Sequence, residues 1–159
     1  FVHATQPNEW KRFAAQFGAD ARDAFLKRVA QAVEADGVVL TLRQGVKANG
    51  IKFRLAAWKP ETTFNNQTGE DYKANQFTVM RQVRYSEKTE HSLDLVVFLN
   101  GLPLFTAELK NPLNGQDVQD AIAQYRLTRD PREPLFAQGR CVAHFAADPF
   151  LVYMATHLK

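Results

Sequence analysis

The sequence predicts an α/β fold, a mixed central β-sheet flanked by helices, and three observations carry that expectation. Residues 94–99 (DLVVFL) and 102–109 (LPLFTAEL) are apolar without alternation, the pattern of strands in the middle of a sheet covered on both sides. Residues 20–37 and 117–129 repeat apolar positions at helical spacing on either side of that pair. Short apolar runs at 140–146 (RCVAHFA) and 150–158 (FLVYMATHL) supply two further strands. With 159 residues and no internal repeat, low-complexity tract or linker, a single domain spanning residues 1–159 is the economical reading.

The elements follow in order. In residues 20–37, Phe25, Val29, Ala32 and Val33 form an apolar stripe, Asp20 or Asp23 can cap the start, and Gly37 suits the stop. VVLTLRQG (38–45) and IKFRLAAW (51–58) read as a β-hairpin, with Asn49-Gly50 as its turn and Pro60 ending its second strand. Residues 64–75 are polar and read as a loop with a helical turn. FTVMRQVRYS (77–86) is a strand with Phe77, Val79 and Arg81 on one face, and the two apolar strands follow it. NPLNGQ is a loop, and Val118, Ala121, Ile122 and Tyr125 mark the apolar stripe of the next helix, broken by RDPREP. Trp10, Trp58 and most phenylalanines fit core roles better than base stacking.

Composition narrows the function classes. The formal net charge of +3 is mildly basic, which permits a nucleic-acid partner without demanding one. A single cysteine, Cys141, excludes an internal disulfide and reads as a small buried apolar residue in a cytosolic setting. No signal-peptide pattern or membrane-length apolar run is present. The start at Phe1 without methionine and the stop after LVYMATHL suggest a piece of a longer protein. The four histidines lack metal-ligand spacing, so no chemistry is assigned to them.

Chemistry concentrates where it is most costly. Asp94 opens one apolar strand, and Glu108 and Lys110 close the next. A buried carboxylate must be paired, protonated or bound to metal. Glu108 and Lys110 are two apart, so on a strand they share a face, and Asp94 lies within reach across the ladder. Two carboxylates on adjacent strands suit a hard divalent cation such as Mg²⁺. A neighbouring lysine can hold a water or steady charge at a phosphodiester. The plainer alternative is a structural salt bridge at a strand end. Arg126 and Arg129 could bind phosphate or form an ordinary solvated face, and Glu34 and Glu70 are further candidate carboxylates.

YKANQFTVMRQVRYS, HSLDLVVFLNGLPLFTAELKNP and RCVAHFAADPFLVYMATHL together resemble the N-terminal endonuclease domain of the R (HsdR) subunit of type I restriction enzymes. The resemblance covers residues 51–159, and ELKNP after NGLP is its most specific part. It implies a PD-(D/E)xK restriction-endonuclease-like fold and site. Asp94 matches the metal-binding aspartate, Glu108 the second carboxylate ligand, Leu109 a residue that offers its backbone carbonyl to the metal, and Lys110 the catalytic lysine. The family continues with a Gln-x-x-x-Tyr motif: Gln124 matches the glutamine, but Thr128 stands at the tyrosine position and Tyr125 comes one residue after Gln124. The implied cofactor is Mg²⁺, with Mn²⁺ as a substitute. Double-stranded DNA and the HsdM and HsdS subunits are the implied partners, with no membrane, in the cytoplasm of a bacterium or archaeon. This chain contains no G-x-x-x-x-G-K-[ST] loop, so ATP would act only through domains outside it. The alternative function is a non-cleaving DNA- or subunit-docking module of nuclease ancestry.

Parity sets one structural condition. With a regular two-residue Asn100-Gly101 turn, Asp94 would oppose Ala107 and face away from Glu108. A shared site therefore needs an odd-length loop or a bulge. A three-residue loop of Leu99, Asn100 and Gly101, with Gly101 at positive φ, would pair Phe98 with Leu102 and set Asp94 opposite Thr106.

Overall fold

The computed structural model describes residues 1–62 and 64–158, and the chain divides into two compact units, Phe1–Gln76 and Phe77–Lys159.

The first unit is mostly helical. Helices α1 (Val2–Thr5) and α2 (Pro7–Phe17) lead into α3 (Ala21–Gln44), which is broken at Gly37 (φ 77°, ψ 162°), where the left-handed φ suits only a residue without Cβ. Gly37 thus ends the expected helix, but the next segment is not a strand. Val38, Thr41 and Leu42 are buried while Val39 and Leu40 are exposed, so the run is helical. Burial at i, i+3 and i+4 decided this against its β-branched content. The hairpin is correspondingly shorter: β1 (Val46–Ala48) and β2 (Ile51–Phe53) pair Ala48 with Ile51 across Asn49-Gly50, both at positive φ.

β2 ends at Phe53 rather than Pro60. At Arg54 the Gln6 side chain substitutes for a strand, accepting from Arg54 N at 2.7 Å and donating to Arg54 O at 2.9 Å. Trp58 therefore lies outside any sheet and is 61% exposed, contrary to its expected core role. Trp10, Phe13, Phe25 and Phe53 do form an aromatic core, with Phe25 and Phe53 ring centroids 5.0 Å apart. The expected loop at 64–75 contains a two-turn helix, α4 (Asn66–Lys73), capped by Asn65 Oδ1 accepting from Gln67 N at 3.0 Å.

The second unit is a five-stranded sheet in the order β3 (Phe77–Arg84), β4 (Ser92–Leu99), β5 (Leu102–Leu109), β6 (Ala143–Ala147), β7 (Val152–Ala155). All neighbours are antiparallel except β5 and β6, so the sheet is mixed as expected. The parallel step needs a crossover, and α5 (Val118–Ala123) supplies it. Asp117 and Asp120 close a capping box at its start. Val118, Ala121 and Tyr125 bury their stripe against Leu93, Val96, Phe136 and Ala146.

Coverage differs from expectation. Leu104, Thr106 and Glu108 on one face of β5 are buried, but the alternate residues Phe105 and Ala107 are only partly so. The apolar residues of the second face reflect partial burial, with Phe105 and Phe145 packing ring to ring at 5.8 Å.

The β4–β5 hairpin meets the parity condition by a different route. The turn has two residues, Asn100 (φ 50°) and Gly101 (φ 87°), with Leu99 paired to Leu102. The three-residue loop is therefore not present. Instead Phe98 pairs with Pro103 and Val97 with Phe105, leaving Leu104 as an extra residue in a β-bulge. Beyond the bulge the pairs are Val96 with Thr106 and Leu95 with Ala107, and the next step brings Asp94 beside Glu108.

Candidate active site

Four elements meet at the far end of the β4–β5 hairpin. β4 brings Asp94, β5 brings Glu108 and Leu109 with Lys110 just past its end, β3 brings Gln82, and the segment after α5 brings Arg129.

Asp94 is partly buried and fixed through both oxygens. Gln82 Nε2 donates to Oδ1 at 3.0 Å, and the Leu109 amide donates to Oδ2 at 2.8 Å. The regular ladder stops at Leu95–Ala107, so this carboxylate takes an amide just beyond it. Gln82 sits at φ 50°, a left-handed backbone uncommon for a residue with a side chain. Its own Oε1 accepts from Ser92 Oγ at 2.9 Å. Strict alternation fails here: Leu93 and Val96, three apart, are both in the buried cluster. The local irregularity allows the chain to bury both apolar residues while keeping Asp94 at the rim.

Glu108 is 1% exposed and pairs with Arg129. Arg129 Nε (2.8 Å) and Nη2 (2.5 Å) both donate to Oε1. Burial is the largest influence on this carboxyl and pushes it up to about 7. Arg129 opposes that rise by hydrogen bond and charge, Asp94 adds to it, and Lys110 lowers it. Asp94 and Lys110 thus act on Glu108 electrostatically, and the three form one charged cluster. Lys110 is partly buried, its amide donates to Ala147 O at 2.8 Å, and its ammonium makes no ion pair among the described residues.

Arg129, read from sequence as a candidate site residue or DNA contact with a solvated face as the plainer alternative, is not solvated and lies in the site. It is 7% exposed, and besides Glu108 it donates to the Tyr85 hydroxyl at 3.2 Å and the Ser92 carbonyl at 3.0 Å. Its guanidinium carbon lies 5.5 Å from the Tyr85 ring centroid. Burial alone would lower its pKa, but Glu108 and then Tyr85 outweigh that and raise it. A signal for this was present: residues 118, 122, 125 and 129 continue one helical stripe, so a cation at its end faces the sheet and needs a carboxylate.

Gln124 starts a single π-helical turn, Gln124–Thr128. Its carbonyl accepts from the Arg129 amide at 3.1 Å and from Thr128 Oγ1 at 2.8 Å. Thr128, at the motif's tyrosine position, thus caps the turn. Among the described residues the Gln124 side chain makes no bond to Asp94, Glu108 or Lys110, and its Oε1 is buried without a donor. Tyr125 packs in the core, and Thr106 Oγ1 lies 2.8 Å from its hydroxyl and 2.7 Å from His144 Nδ1. Burial pushes the imidazole of His144 down to about 4. Arg126 is exposed and borders a cleft of about 300 Å³ with Ile122, Tyr153 and Met154. Glu34 and Glu70 are exposed on helices of the first unit. Burial holds Cys141 at about 12, in keeping with an inert thiol.

Sequence reasoning missed Gln82 and the Thr106–Tyr125–His144 chain, and it named Arg129 without its partner Glu108. Polar residues with no motif spacing give no advance sign of which partner they will meet.

The donor set can be tested against a hard cation. Glu108 Oε1 is occupied by Arg129, but among the described residues Oε2 carries no hydrogen bond. Asp94 Oδ1 and Oδ2 each hold one hydrogen bond, which leaves lone-pair capacity on both. Two carboxylates and a backbone carbonyl fit Mg²⁺ with water completing the shell. No group of three or more His, Cys, Asp or Glu side chains forms a metal cage among the described residues, and none of their helices is long and apolar enough to cross a membrane.

A family model described as the N terminus of the type I restriction enzyme R protein matches residues 3–157. No curated protein and no solved structure matches the chain.

Proposed function

The chain belongs to the family of type I restriction enzyme R protein N termini, and on that premise we propose that it is the Mg²⁺-dependent DNA endonuclease domain of an R subunit. The observation that carries this reading is the Leu104 bulge, which sets Asp94 beside Glu108 in a hairpin whose turn would otherwise separate them. Asp94, Glu108 Oε2 and the Leu109 carbonyl would hold the cation. When bound, it would supply Lewis-acid stabilisation of phosphodiester oxygens and a more acidic water. The work of the chain's own groups is positional. Gln82 and the Leu109 amide orient the Asp94 carboxylate. The Lys110 ammonium stands at the strand end, where it can hold the attacking water or balance charge on the phosphate. Arg126 offers an exposed cation for the DNA backbone. Cleavage would follow ATP-driven translocation by the parent enzyme, assembled with HsdM and HsdS on double-stranded DNA.

A second reading, a non-cleaving docking module of nuclease ancestry, draws on the Arg129–Glu108 pair, which already satisfies one carboxylate oxygen. Calorimetry with Mn²⁺ separates the two. The nuclease reading expects saturable binding that is lost in Asp94→Ala and Glu108→Ala. In the full enzyme, Lys110→Ala should abolish DNA cleavage while metal binding and ATP hydrolysis persist. Wild-type protein without saturable binding, or cleavage unchanged in Lys110→Ala, would count against it.

A further inference from the structure

Arg129 raises a question that the nuclease reading leaves open: why a candidate metal ligand should already hold a cation. Geometry answers it. Both Arg129 donors to Glu108 converge on Oε1, and Oε2 is left without a hydrogen bond among the described residues. A competitor for the carboxylate would be expected to span both oxygens in a fork, the arrangement guanidinium favours. Nor is Arg129 held only by Glu108. Tyr85 Oη accepts from Nη1, Ser92 O accepts from Nη2, and the side chain is 6% exposed. Its backbone is fixed too, since its amide closes the π-turn on Gln124 O. Four acceptor contacts and near-complete burial describe a fixed support, not a latch that leaves when metal arrives.

The spacing explains how it is supported. Thr106 and Glu108 are two apart on one face of β5, about 6.6 Å along the strand. Tyr125 and Arg129 are four apart across the π-turn that faces it. Tyr125 meets Thr106 and Arg129 meets Glu108, so the two pairs interlock. The same residues that seat the helix on the sheet therefore fix the rotamer of Glu108.

We propose that Arg129 is a positioning residue for Glu108, clamping Oε1 so that Oε2 is presented to the divalent cation. The proposal rests on the nuclease reading and extends it to a residue outside the Asp94–Glu108–Lys110 set. Partners of this kind, hydrogen-bonded to a metal's carboxylate ligand, change metal affinity about 10- to 100-fold when removed.

The test is Mn²⁺ titration of the chain and its Arg129→Gln and Arg129→Lys variants, by calorimetry and by electron paramagnetic resonance. Arg129→Gln should bind Mn²⁺ about 10- to 100-fold more weakly, with an altered spectrum of the residual bound ion. Arg129→Lys, which restores one charged donor, should recover part of that loss. Affinity in Arg129→Gln equal to wild type would make the arginine merely structural, and tighter binding would make it a competitor; either overturns the proposal. If Arg129→Gln does not fold, Arg129→Lys carries the test, and a wild-type affinity and spectrum there overturn it. Absence of saturable Mn²⁺ binding in the wild type is a different result: it removes the nuclease reading and this proposal with it.

Discussion

Arg129→Met should destabilise the second unit by about 3–5 kcal/mol above pH 7, the usual consequence of stripping the partner from a buried ion. The carboxylate left behind is 1% exposed, and the lost contacts are two hydrogen bonds to one oxygen. The penalty depends on pH in a definite direction. Burial pushes Glu108 up to about 7 even with Arg129 present, so without the arginine it protonates more readily. The neutral acid costs less to bury, and the destabilisation should shrink as pH falls toward 5. With a urea m-value of about 2 kcal/mol/M, the loss at pH 8 moves the unfolding midpoint down by about 2 M. Both tryptophans lie in the Phe1–Gln76 unit, so their fluorescence is the wrong probe. Hydrogen exchange of the β4 and β5 amides against urea reports the second unit directly. Arg129→Met combined with Glu108→Leu should return stability to within about 1 kcal/mol of wild type, because no unpaired charge remains. A loss below about 1 kcal/mol in the single variant, or a double variant as unstable as the single, would refute this account of the pair.

Two further outcomes follow from neighbouring features. His144 is neutral in the fold, with its imidazole held at about 4 against an ordinary 6.5, whereas the unfolded chain is protonated between those values. Folding stability should therefore fall as pH drops from 6.5 to 4, by about 3 kcal/mol in all, and His144→Gln should lose that part of the slope in urea titrations at stepped pH; an unchanged slope would contradict it. Inserting one residue between Phe105 and Thr106 should oppose Asp94 to Ala107 and abolish Mn²⁺ binding, whereas Leu104→Ala keeps the residue count and should keep the site; equal Mn²⁺ affinity in the two variants would show that register is not what joins Asp94 to Glu108.

What the sequence disclosed, and what it withheld, divides along physical lines. The sheet, its central pair of strands and the α5 stripe were legible because hydrophobic periodicity is a direct record of burial. The need for a bulge or odd loop was legible too, since parity follows from residue counts alone. Which of the two devices the chain uses was not: Asn100-Gly101 suits a two-residue turn locally, and only the packing of Leu104 shows where the extra residue goes. The run at 38–45 misled because Val and Thr favour strands, while burial of Val38, Thr41 and Leu42 on one face favours a helix. Asp94, Glu108 and Lys110 could be singled out as charges in apolar surroundings. Arg129 ended the helical stripe of 118, 122 and 125, which pointed it at the sheet without naming Glu108, and Gln82 stood in a strand with no sign of its partner.

The extra residue in β5 has a counterpart across the site. The π-turn holds one residue more than an α-helix would between Gln124 and the next amide, as the bulge holds one more than a regular ladder. The π-turn acts like a shim, a spacer one residue thick that brings two surfaces into line, and the bulge like a relief cut that takes up a residue which would push the strand out of line. The alignment that joins Asp94, Glu108 and Arg129 is thus encoded in chain length as much as in side-chain chemistry. Among related chains, a change of residue type within Gln124–Thr128 should be tolerated more readily than a one-residue gap there, whereas a gap at Leu104 should leave Asp94 opposite Glu108. A copy that keeps every charged residue but has lost a residue of the π-turn would still look complete in its motif and would have lost the alignment.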